Sequence, residues 1–352
     1  MASDRMMEYY YSMGQDSLAN ENIDEAITYF RKAANLGASE AAHEIGAIGH
    51  RLEKGEGYPK DEEKAAHCYQ IASELGIDEA WYYLGRLYFR GIDGAKPNPR
   101  KAKRSLERAS DAGCTDAAAL LAKLYDEGVM GKVNHAAAFK YYLLAAERGD
   151  PESMLMAGLF YAQGEVVPKN TAEAEKWIRK GKEAGNPDGE ATLRGFLSVA
   201  ASEYITGAAG VVDPEKALAM AEEAESMGDK EAFLRLGNAY RASHMEKRAE
   251  KAFDCYKRAE KHKVTEAVTA LGLCYESGLG TEPDIAKAVK YYRKAAEAGD
   301  AFAMAHYGCA LADGEGVKKN EKEAMEWLVK AAMKGDEGAI LILKEDYNYT
   351  LR

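Results

Sequence analysis

An alanine stands eleven residues before each of nine positions in this chain. The positions are Gly37, Gly76, Gly113, Gly149, Gly185, Gly228, Lys263, Gly299 and Gly335. The alanines are Ala26, Ala65, Ala102, Ala138, Ala174, Ala217, Ala252, Ala288 and Ala324. The commonest interval is 36 residues, with small insertions before Gly76 and Gly113 and a larger one before Gly228. Four residues before each stop is alanine again, Gly181 excepted. Seven before is usually bulky: Phe30, Tyr69, Leu106, Tyr142, Ile178, Tyr256, Tyr292 and Leu328, with Ala221 the exception. Fifteen before is Asn or Asp in every unit but the one where Arg248 stands. Columns held in register this long demand a repeat architecture. Each unit is too short to bury its own apolar stripe and must stack on its neighbours.

The unit is clearest at Leu271–Gly299. Gly272 sits one turn before Tyr275 on a helix face. Glycine inside a helix costs about 1 kcal/mol against alanine, so close approach of a neighbouring helix is the expected compensation. Gly278 and Gly280 end that helix, and Asp284 is placed to cap the next. Ala288, Tyr292 and Ala295 then recur at helical spacing, and Gly299 takes the position of a left-handed stop. The Asn22/Glu25, Asn170/Glu173 and Asn320/Glu323 pairs read as capping boxes.

This pattern resembles the Sel-one-like repeat (SLR) family, a subgroup of tetratricopeptide-like (TPR-like) helical repeats. Its signature, L-G-x-x-Y-x-x-G-x-G-V-x-x-D-x-x-K-A-x-x-W-Y-x-K-A-A-x-x-G, is nearly legible at Gly272–Gly299 and Gly308–Gly335. The resemblance implies an all-α, right-handed α/α superhelix of nine helix pairs with a C-terminal capping helix. Residues 1–37 look like an ordinary tetratricopeptide capping repeat. Residues 38–335 form the array, and residues 336–352 a capping helix and tail. Met6, Met7, Tyr9, Tyr10 and Tyr11 are expected to cap the open end of the core, with a sticky end as the alternative. The insertion before Gly228 is expected to lengthen a first helix around Phe196–Tyr204.

The formal charge is 47 − 58 = −11, which argues against general nucleic-acid binding. No apolar run approaches the roughly 20 residues of a membrane span. The N-terminus carries Asp4 and Glu8 and lacks a signal-like basic and apolar sequence, so a cytoplasmic location is expected. Five cysteines without a recurring pair do not suggest a disulfide framework. Asn348-Tyr349-Thr350 matches a glycosylation triplet and is read as chance. The seven histidines form no ligand motif, and the Gly-x-Gly turns follow helices, not strands. Glu62-Glu63 and Glu222-Glu223 read as solvated helix faces. No metal, cofactor or catalytic group is expected.

The resemblance implies a protein–protein scaffold or adaptor. The first helix of each pair would line a concave groove for a peptide or helix of a partner. The alternative it leaves open is a regulatory or substrate-docking subunit of an enzyme complex. Positions facing a guest would include Tyr11, Gln15, His50, Glu53, Lys123, Asp126, Asn238, Arg241 and Glu276. The densest cluster is Tyr82, Arg86, Phe89 and Arg90. Aromatic and arginine side chains are the usual energetic centres of an interface.

Overall fold

The computed structural model describes residues 2–129, 131–347 and 349. Asn348 and Thr350 of the glycosylation triplet, and the end of the expected tail, lie outside them. The described residues contain nineteen α-helices and no strand. Internal contacts divide the chain into two compact units, Met1–Pro168 with Lys176–Asn186, and Lys169–Glu175 with Pro187–Arg352.

The first unit holds α1 (Ala2–Ala19), α2 (Ile23–Asn35), α3 (Ser39–Lys54), α4 (Glu62–Glu74) and α5 (Asp78–Arg90). It continues with α6 (Pro99–Asp111), α7 (Thr115–Asp126), α8 (His135–Glu147), α9 (Pro151–Gln163) and the later part of α10 (Thr171–Glu183). The second holds the start of α10 and then α11 (Gly189–Thr206), α12 (Pro214–Ser226), α13 (Ala232–Ala242) and α14 (Arg248–Lys261). After these come α15 (Thr265–Ser277), α16 (Ile285–Glu297), α17 (Ala301–Asp313), α18 (Glu321–Met333) and α19 (Glu337–Glu345). Within each unit, helices pair in sequence and each pair packs on the next.

The columns have direct physical counterparts. All nine stops are left-handed, from Gly37 at φ 107° to Gly335 at 90°, and Lys263 adopts φ 60° without the glycine. The amide after each stop donates to the carbonyl of the small residue four before it. Eight of these bonds measure 2.9–3.1 Å, as from Ala38 to Ala33 and Asp300 to Ala295, and the one at Lys263 measures 3.5 Å. Asp61, Asn98, Asn134, Asn170, Asp213, Asp284 and Asn320 cap their helices through side-chain oxygens.

The capping boxes differ from expectation. The Asn320 amide N–H is taken by the Leu311 carbonyl of the preceding helix at 2.8 Å, so it is not free for Glu323. Glu323 accepts instead from the Asn320 side-chain amide at 3.0 Å, and Glu25 likewise from Asn22 at 2.8 Å.

The helix-interior glycines let paired helices touch. A Cβ at Gly272 would fall 2.6 Å from the Tyr292 ring, and one at Gly85 would fall 2.7 Å from Leu106. The small column and the bulky column therefore interlock across each pair. In the first unit this core runs through Phe30, Ile45, Tyr69, Leu84 and Leu87. In the second it includes Tyr292, Tyr307, Leu328 and Leu343. Tyr10 stacks on Tyr29 at 6.3 Å and Tyr11 lies 5.6 Å from Phe30 within the first pair, while Met6 and Tyr9 stay exposed. The insertion makes α11 an 18-residue helix, and α19 buries Ala339 and Leu343.

Candidate partner-binding face

The densest candidate cluster lies on α5, in the first unit. Its polar side chains are tied to α3 and α4. Arg86 Nη2 donates to Glu53 Oε1 at 2.6 Å, and Tyr69 Oη donates to Glu53 Oε2 at 3.0 Å. Glu53 is 5% exposed, so two donors offset the desolvation of its carboxylate. The Arg86 guanidinium also lies 5.5 Å from the Tyr83 ring and 6.0 Å from the Tyr82 ring. Tyr83 stacks in turn on Tyr69 at 5.2 Å. Burial, then Glu53 beside it, pushes the Tyr69 hydroxyl pKa well above the usual phenol range.

Arg90 donates to Glu62 Oε1 at 2.6 Å. Glu62 is buried, not solvated, which corrects the reading of the Glu62-Glu63 pair. Its Oε2 accepts from the Asp93 amide at 2.8 Å. Asp93, at φ 47°, returns the contact by accepting from the Glu62 and Glu63 amides at 3.3 and 3.2 Å. The long turn after α5 thereby caps the N-terminus of α4, one repeat earlier. The Lys60 hydrogen bond holds the Glu62 carboxyl below the usual range against the opposing effect of burial, and the Asp93 amide and Arg90 add to it. Glu222 is also engaged, with Arg258 at 2.8 Å.

Tyr82 and Phe89 are half-buried and pack against the cluster of Leu106, Leu121 and Phe139 toward the next repeat. Lys123 is exposed on α7. Asp126 pairs with His135 Nδ1 at 2.8 Å, and burial followed by Asp126 raises the Tyr142 hydroxyl. In the second unit, Asn238 accepts from Tyr256 Oη at 2.9 Å and Arg241 is exposed. Glu276 accepts from Tyr292 Oη at 2.7 Å.

Beside the Arg86 network, α3 and α5 enclose an open cleft of about 270 Å³. His43, His50, Tyr69, Glu79 and Tyr83 line it, and its floor is opened by Gly46 and Ala47. His50 meets the Tyr83 ring edge-on at 5.9 Å. His50 was among the expected positions; His43, Gly46, Ala47 and Glu79 were not. The sequence carried one usable signal. Tyr69 follows Glu53 by sixteen residues, as Tyr292 follows Glu276 and Tyr142 follows Asp126.

The five cysteines are free thiols. Burial pushes Cys68 and Cys255 up to about 12, which suits packing and not nucleophilic chemistry. Among the described residues no group of three or more His, Cys, Asp or Glu could hold a metal ion. No described helix is long and apolar enough to cross a membrane.

Helix pairs closed by one turn and interlocked through one glycine column define an α/α repeat protein. The Sel1 repeat model matches residues 1–37, 39–77, 79–114, 115–150, 151–186, 199–229, 231–262, 265–300 and 301–336, so the chain belongs to the Sel1 repeat family. The unmatched stretch between 186 and 199 falls in the inserted first part of α11. The chain is 31% identical over 191 residues to DAP3-binding cell death enhancer 1 of Rattus norvegicus, covering 54% of this chain and 36% of that protein. It is 27% identical over 308 residues to the chitin synthase regulator SKT5 of Saccharomyces cerevisiae, covering 82% of this chain and 37% of that protein. The matched region thus spans about a third of these relatives' length. Among solved structures, a protective antigen of uropathogenic Escherichia coli with an SLR fold is 28% identical, with a TM-score of 0.47 over 97% of this chain and 80% of that one.

Proposed function

We propose that the chain is a non-enzymatic interaction scaffold, and that the α3–α5 face takes a segment of a partner protein. One observation carries this reading. A cleft of about 270 Å³, walled by tyrosine and histidine, lies open beside charges that the chain has already fixed in place. Fixed side chains lose little further freedom when a guest docks, which favours binding. A cleft of this size accepts one anchoring side chain of an extended or helical segment. Arg86 acts here by holding the wall, and Ile77 and Ala80 complete the apolar lining.

Ala47 is exposed and lines the cleft. Ala47→Trp fills the space from the outside. In a pull-down from the native host, the partners held by the wild type should be lost with Ala47→Trp while the circular dichroism is unchanged. Retention of every partner would move the binding surface elsewhere.

A second reading is favoured by the relatives named as chitin synthase regulators. In that reading the guest is a subunit of an enzyme, held at fixed stoichiometry. Mass spectrometry of the same pull-down separates the two, since a single stoichiometric enzyme partner points to a regulatory subunit.

A further inference from the structure

On α6 the charge balance of the molecule reverses. Residues 96–108 hold Lys96, Arg100, Lys101, Lys103, Arg104 and Arg108 against a single acid, Glu107, in a chain of net charge −11. Several arginines elsewhere are matched to acids, as in Arg86–Glu53, Arg90–Glu62, Arg235–Asp229 and Arg258–Glu225, and others such as Arg148, Arg194 and Arg248 donate to backbone carbonyls. Arg100, Lys101, Arg104 and Arg108 are exposed and, among the described residues, have no carboxylate at ion-pair distance. Lys101 and Arg108 lie instead over aromatic rings, at 5.0 Å from Tyr88 and 4.4 Å from Trp81.

Two of these cations also sit against local electrostatics. The positive end of a helix dipole lies at its N-terminus, which favours acids there. α6 places Arg100 and Lys101 in its first turn; like α8, α13, α16 and α17 it has no acid there, whereas α2, α4 and α18 each place two.

The arginines border a groove. Between α4 and α6, over the floor made by α5, lies an open cleft of about 300 Å³ with Trp81, Leu84 and Tyr88 at its base. Lys101, Arg104 and Arg108 form one wall, and Gln70 and Glu74 the other.

We propose that the α4–α6 groove docks an acidic segment of a partner protein, with its carboxylates facing Arg104 and Arg108 and an apolar side chain resting on the groove floor beside the Arg108–Trp81 stack. Unmatched arginines supply the charge complementarity, and the recessed aromatic floor supplies the anchor. Glu74 on the opposite wall opposes a broad anionic surface such as a membrane or a nucleic-acid backbone. It tolerates a narrow guest whose carboxylates face α6. This groove is separate from the α3–α5 cleft, and either could fail without the other.

The test uses fluorescence anisotropy with a labelled peptide that alternates Glu with Leu, and a matched peptide with Lys for Glu. The Glu peptide should bind the wild-type protein and the Lys peptide should not. Arg104→Glu with Arg108→Glu should weaken the Glu peptide by about tenfold or more, and raising salt should weaken it for the wild type. Arg100→Glu with Arg104→Glu repeats the measurement with the Arg108–Trp81 stack intact. Equal binding by wild type and both variants, or no binding of the Glu peptide, overturns the proposal. So does capture by phosphatidylglycerol vesicles or single-stranded DNA in place of the peptide.

Discussion

The α3–α6 and α15–α18 regions solve the same joint in different ways. In α15–α18 the turn between paired helices is short, and its second glycine presses on the backbone of the preceding pair. A Cβ at Gly280 would lie 2.2 Å from the Ala249 carbonyl oxygen, and one at Gly316 would lie 2.8 Å from that of Ile285. In α3–α6 the turn is longer, and Asp93 reaches the start of α4 with a carboxylate. The Gly94 Cβ position has nothing within 4 Å. Backbone contact is thus exchanged for hydrogen bonds, and the charges needed for them gather on α5. The comparison teaches that a lengthened turn relocates the joint from shape to electrostatics.

The largest difference should come from alanine at matched turn glycines. Gly280→Ala combines a left-handed φ of 75° with a clash against a carbonyl, and should cost about 3 kcal/mol. Gly94→Ala, at φ 79° with open space, should cost about 1 kcal/mol. Urea unfolding of both variants measures this, and equal losses would break the comparison.

Next come the carboxylates bound by tyrosine. Arg86→Ala removes the shortest contact of a buried Glu53 and should cost about 2 kcal/mol. Tyr292→Phe leaves Glu276 with 40% of its side chain already in water, and should cost less than about 1 kcal/mol. Thermal unfolding monitored by circular dichroism gives the order. For this reason Arg86→Glu is a poor probe of binding, since it sets two acids together.

The smallest effect is in pH. Glu62 is held below the usual carboxyl range in the folded chain. A depressed folded pKa contributes stability above the unfolded pKa and loses it as pH falls through the folded value. The advantage of wild type over Glu62→Gln in urea midpoint should therefore shrink as pH drops below about 4. A difference that stays constant with pH would remove Glu62 from the electrostatic joint.

The stops, caps and interlocking glycines were legible because each answers a local demand. Left-handed backbone at Gly299 and a helix start at Asp284 depend only on residues nearby. The same logic identified the bulky column that meets Gly272. Glu62 was misread because, Lys60 apart, its partners Arg90 and Asp93 lie about thirty residues away and arrive through an irregular turn. Tyr82, Arg86, Phe89 and Arg90 were correctly placed on one helix. Their division between an ion-pair network and the next repeat's core depends on neighbours that periodicity alone does not specify. The basic run of residues 96–108 was passed over in the sequence, since a run of charge on a helix face is ordinary, and the groove beside it exists only once α4 and α6 stand apart over α5.

Every junction between pairs is fastened by a bond between residues five apart, from Ala38 to Ala33 at one end to Asp336 to Ala331 at the other. Such a fastening is written wholly inside one copy and asks nothing of what comes after. The stop of one copy is therefore set before the next copy is added, while the joint to the preceding copy, as at Gly280 and Asp93, is made separately. The stop is thereby the same whatever face the copy carries, which leaves the side chains of a face such as that of α6 out of the closure.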